Sequence, residues 1–148
     1  VHMSELLKLL PKKIKISFAD VDIETSDDTK FAEENFGEYD SRNNKITIST
    51  NSTDRDIANT LLHEIVHASV WYGGLKDDGA ALEDDKHEEH VVNVLTNQLC
   101  QIFRDNPKIL TIIKKGLTGK NGRAKKGDQV MATPEKILER YTFHKNRK

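Results

Sequence analysis

Ser52-Thr53-Asp54-Arg55-Asp56-Ile57-Ala58-Asn59-Thr60-Leu61-Leu62-His63-Glu64-Ile65-Val66-His67-Ala68-Ser69-Val70-Trp71-Tyr72-Gly73-Gly74 reads as one helix with chemistry on its face. Ser52 or Thr53 can accept from the first free backbone N–H groups. Asp54 and Asp56 sit near the positive end of the helix dipole. Ile57, Leu61, Leu62, Ile65, Val66 and Val70 recur at helical spacing, and Gly73-Gly74 ends the run. Residues four apart share a helix face, so His63 and His67 can both reach one ion. Neutral imidazole nitrogen suits Zn²⁺. Glu64 projects near the edge of that face, placed to take a proton from an attacking water rather than to ligate.

Working outward, the N-terminal side is β-rich. Ser4 to Leu10 predicts one or two helical turns stopped by Pro11. Ile14, Ile16 and Phe18 alternate with polar residues, as in a half-buried strand that Val21 and Ile23 extend. Residues 26–35 read as a loop or a short helix. Phe36 to Asp40 and Lys45 to Thr50 flank the turn-rich Ser41-Arg42-Asn43-Asn44, which predicts a β-hairpin. On the other side, a second long helix is expected from about Glu83 to Phe103. Its expected apolar stripe is Val91, Val92, Leu95, Leu99, Ile102 and Phe103. A shorter helix should run from Pro107 to Gly116. Residues 117–132 read as a mobile linker or flap, and Thr133-Pro134-Glu135 opens a last helix to about Tyr141. Val1-His2-Met3 reads as a cloning remnant. The fold class is α+β, with a domain at residues 4–116 and a basic segment at 117–148.

A catalytic zinc needs a third protein ligand. The second helix opens with Asp84-Asp85-Lys86-His87-Glu88-Glu89-His90. Glu88 points into the middle of the expected stripe, whereas Glu89 sits at its edge with Asn93 one turn on. Metal-bound histidines usually donate their other N–H to an outer acceptor. Glu89 with Asn93 supplies a ligand and such an acceptor, so Glu89 is preferred. Glu88 is the alternative ligand, with His87 and His90 behind it.

His63-Glu64-Ile65-Val66-His67, followed by Glu89 and Asn93, resembles the gluzincin branch of zinc metallopeptidases. The run from Glu88 to Asn93, continued through Gln98 to Pro107, is similar to small phage- and prophage-encoded relatives of the repressor-cleaving ImmA/IrrE-like family. The resemblance spans about residues 12–110. It implies a minimal zincin-like fold, with a small twisted sheet and hairpin packed on the metal-binding helix. It also implies Zn²⁺ held by His63, His67 and Glu89, Glu64 as general base, and hydrolysis of a protein substrate. An exposed edge strand, Lys45 to Thr50, would align that substrate. Two positions depart from the pattern. Val92 stands where alanine is common, and no Tyr or His is marked as a transition-state stabiliser, with Tyr72, Tyr141 and His144 as candidates.

The single Cys100 excludes an internal disulfide framework and fits a reducing compartment, here expected to be the cytoplasm of a bacterial host. No apolar run of membrane-spanning length or signal-peptide pattern is present, so no membrane partner is expected. The net charge of −1 hides a division. Residues 104–148 hold 13 basic and 4 acidic side chains, and residues 1–103 hold 10 and 20. The basic residues 114–126 suit phosphate contact, so nucleic acid is a possible partner. Two rivals to a peptidase follow: a zinc-binding regulatory or adaptor protein with weak turnover, and a DNA-associated peptidase.

Overall fold

A computed structural model describes residues 4–118. The expectations for Val1-His2-Met3, for residues 119–132 and for the last helix lie outside the described residues, as do Tyr141 and His144. The fold is α+β, with one mixed four-stranded sheet and helices. Among the described residues, those from Ser4 to Asp105 belong to one compact unit and those from Asn106 to Thr118 to another.

A 3₁₀ turn, Leu7–Leu9, leads into β1 (Lys13–Ile16) and β2 (Ala19–Ser26). These are two antiparallel strands, not the single extended one expected, and Ile16 pairs with Ala19 across Ser17-Phe18. Ser17 takes a positive φ of 54°. Neither turn residue is Gly, Asn or Asp, so the reversal carries no turn signature. Helix α1 (Thr29–Glu34) follows, capped by the Asp28 side chain on Lys30 N–H.

Strands β3 (Gly37–Asp40) and β4 (Lys45–Ser49) form the expected hairpin. Asp40 Oδ1 accepts from the backbone of Arg42 at 2.9 Å and Asn43 at 3.1 Å, which closes the turn. The sheet order is β1-β2-β4-β3, with β2 and β4 parallel. Lys45 to Ser49 therefore lies inside the sheet. The edge on this side is β3, which corrects the expected edge strand.

Helix α2 (Asp54–Tyr72) begins at the Thr53 cap, whose hydroxyl accepts from Asp56 N–H at 3.2 Å. It ends at Gly73, as expected. Ile57 and Ala68 join Val21, Ile23, Ile46 and Ile48 in the core between helix and sheet. Helix α3 (Asp85–Asp105) packs on α2. Its inward line is Glu88, Val92, Thr96, Leu99 and Phe103, while Leu95 and Ile102 are exposed. The expected stripe is thus rotated by part of a turn. Contact with α2 through Glu88 sets the face, and apolarity alone misplaces it.

Helix α4 (Pro107–Thr118), in the second unit, runs through Gly116 rather than stopping there. One glycine costs about 1 kcal/mol relative to alanine in a helix, too little to end one that Leu117 and Thr118 continue. The Thr118 hydroxyl donates to the Lys114 carbonyl at 2.7 Å. No helix among the described residues is long and apolar enough to cross a membrane.

Candidate metal centre

Two helices and one strand build the site. On α2, Ile57, Thr60, Glu64 and Ala68 form the line turned to the sheet, so Glu64 lies buried against β3, only 5% exposed. His63 and His67 stand on the adjacent face, toward α3, each 17% exposed. Their Nε2 atoms approach to 2.9 Å. Glu89 reaches in from α3, with Oε2 at 3.2 Å from His67 Nε2 and Oε1 at 3.6 Å from His63 Nε2.

The fit to a metal can be tested on these distances. Donors about 2.05 Å from a tetrahedral zinc lie about 3.3 Å from one another. The two Nε2 atoms at 2.9 Å, and Glu89 Oε2 at 3.2 Å from one of them, stand near that spacing, while Glu89 turns its other oxygen to His63 at 3.6 Å, and one ligand atom from each residue lies within 4.8 Å of the others. Two imidazole nitrogens and one carboxylate also form a donor set that zinc takes. His63, His67 and Glu89 could therefore hold an ion. Glu89 is half exposed, which leaves that side of the cluster open to solvent. Burial first, and the neighbouring His67 second, hold the His63 imidazole below its ordinary pKa, against the opposing pull of Glu89 and Glu88.

Glu88 has a different task from Glu89. Its Oε1 lies 2.7 Å from His67 Nδ1, on the far side of the ring from the shared point. It is the outer acceptor for His67. Asn93, expected to serve as that acceptor, instead donates its amide to Glu89 Oε1 at 2.7 Å. Asn93 thus steadies the carboxylate rather than a histidine, because one turn of α3 places it directly behind Glu89. His87 and His90 are exposed, and His87 lies 3.5 Å from Asp84. Asp84 itself caps α3 through Lys86 and His87 N–H.

Glu64 is the most perturbed carboxylate. Burial, partly offset by His67 and by a hydrogen bond from Tyr39 N–H, pushes it up to about 7. Strand β3 can come this close because Gly37 has no side chain. A Cβ at Gly37 would stand 2.4 Å from the Thr60 methyl and 3.3 Å from Glu64 Cγ. Sequence reasoning gave Gly37 no role, and its position inside a short strand is the only sign of one.

A cleft of about 440 Å³ opens over the cluster, lined by Gly37, Tyr39, His63, Glu64, His67 and Trp71 among others. A second cleft of about 260 Å³ continues past Phe36 toward Asn59 and shares Gly37, His63, Glu64 and Glu89 with the first. The two meet at the candidate metal ligands and run along β3. Tyr72, one of the stabiliser candidates, points elsewhere and donates to Asn44 Oδ1 at 2.6 Å. Cys100 is half-buried in another cavity between α2 and α3. Compared with known proteins, the chain matches no family model, no curated protein and no solved structure.

Proposed function

We propose that this chain is a zinc-dependent peptidase built on a minimal zincin-like fold. The observation that carries the reading is the placement of Glu64. It is buried beside the His63–His67–Glu89 cluster without being part of it. A structural zinc site has no use for a buried carboxyl next to its ligands. A hydrolytic site needs one to manage a proton.

His63, His67 and Glu89 would hold the ion. When bound, zinc supplies a Lewis acid that polarises a carbonyl and acidifies a water. Glu64 accepts the water's proton at its carboxylate and returns it to the departing amine. Gly37 offers backbone groups on the open side of β3. The Phe36 carbonyl accepts from Ser49 N–H, so strand alternation turns the groups of Gly37 away from β4, as it does those of Tyr39, whose N–H is already taken by Glu64. An extended peptide pairing there would lie across the joined clefts. Trp71 forms a wall for its side chains. The substrate is a protein segment, as in repressor cleavage by phage-type peptidases.

The test combines elemental analysis with cleavage of a peptide library read by mass spectrometry. The wild type should carry about one zinc per chain. Glu64→Gln should keep the zinc and lose cleavage by about 10²–10⁴-fold. Glu89→Ala should lose the zinc. Stoichiometric zinc with no cleavage of any library member would overturn the peptidase reading and leave a zinc-binding regulatory or adaptor protein.

A further inference from the structure

Lys76 lies in the loop between α2 and α3, with its side chain only 16% exposed. Its ammonium meets three acceptors: the Glu83 carbonyl at 3.2 Å, the Asp85 carboxylate, and Glu88 Oε2 at 2.9 Å. An ammonium has three hydrogens, so all of them are committed. Glu88 is itself 12% exposed, and its other oxygen faces His67 Nδ1 at 2.7 Å. A carboxylate can only accept there, so Nδ1 carries the hydrogen, and the tautomer this selects in a neutral ring is the one whose Nε2 keeps its lone pair. Nε2 is the atom that meets His63 and Glu89.

Resting on the metal-centre reading, we propose that Lys76 is a positioning residue that anchors Glu88 and, through it, fixes His67 in the tautomer that offers Nε2 to zinc. The loop makes the anchor possible. Leu82 N–H donates to the Leu75 carbonyl at 2.9 Å, which brings Lys76 back beside the start of α3. The anchor also separates two adjacent carboxylates. Lys76 holds one Glu88 oxygen and His67 the other, so Glu88 stays behind the ring while Glu89 faces the shared point. A carboxylate this sheltered from water needs such a partner, because an unpaired one is costly to bury.

Zinc affinity of the full chain, measured by competition with a chelator, tests the relay through a double-variant cycle. Lys76→Met should weaken zinc binding about tenfold or more, as should Glu88→Ala. The double variant should bind no more weakly than Glu88→Ala alone. Unchanged affinity in Lys76→Met, or a full further loss in the double variant, overturns the proposal. Imidazole ¹⁵N shifts of the metal-free chain give a second readout. His67 should be the Nδ1–H tautomer in the wild type and a mixture in Lys76→Met. An unchanged tautomer also overturns the proposal. This readout holds even where the wild type binds no zinc, an outcome that sinks the metal reading alone. Should Lys76→Met fail to fold, Lys76→Gln replaces it in both measurements.

Discussion

Glu64 links burial to protonation, and the linkage has a measurable sign. Its folded-state pKa is raised from 4.5 to about 7, chiefly by burial. The folded metal-free chain therefore binds the proton more tightly than the unfolded chain. The stabilisation is full below about pH 4.5 and is lost as pH rises through about 7. The size is on the order of 3 kcal/mol, from about 1.4 kcal/mol per unit. Denaturant unfolding of the metal-free protein should show stability falling from pH 5 to pH 8, and Glu64→Gln should flatten that slope. A slope unchanged in Glu64→Gln would place its origin elsewhere. Asp40 has the opposite sign. Hydrogen bonds from Asn43, by side chain and backbone, hold its pKa below the ordinary range. Its contribution is present above the unfolded value and lost as pH falls. At this scale the sequence was legible for the His63–His67 pair, because helical spacing alone brings the two rings together. It was silent on Lys76, whose role depends on a loop folding back.

Between elements, the close contact of β3 with α2 decides how deep Glu64 sits. Gly37→Ala should force the strand off the helix, because the added Cβ meets the Thr60 methyl at 2.4 Å. Overpacking of this kind costs about 1–3 kcal/mol. Thr60→Ser removes that methyl, so Gly37→Ala with Thr60→Ser should recover most of the loss in thermal unfolding. No recovery would show that the contacts with the Thr47 carbonyl at 3.1 Å and Glu64 Cγ at 3.3 Å dominate. The elements themselves were largely readable. Thr53, the Ser41–Asn44 turn and Gly73 mark their boundaries through local chemistry. The β1–β2 reversal was not readable, because Ser17 adopts a positive φ without a residue that favours it. Strand order was also hidden. Hydrophobic alternation makes Lys45 to Ser49 a strand but cannot say that β2 pairs along its other side. The inward face of α3 was misread because Thr96 is buried and Leu95 is not.

For the whole molecule, the charge division sets the partners to test. Residues 104–148 have a net charge of +9 and the rest of the chain −10. If the basic part docks on nucleic acid, duplex DNA should retain the full chain at low salt and release it as salt rises. Deleting residues 117–148 removes 9 basic and 3 acidic side chains and should weaken that retention. Equal retention without them excludes this docking mode.

The open edge of β3 has a cost of its own. A strand with unpaired backbone groups invites a second copy of the chain as readily as a substrate. Here the edge is only four residues long and carries Glu38 and Asp40. Two copies meeting edge to edge would bring these acids together. Like charge on so short a strand therefore disfavours edge-to-edge pairing of two copies. Glu38→Val should relax that protection, and sedimentation should then show self-association that the wild type lacks at the same concentration.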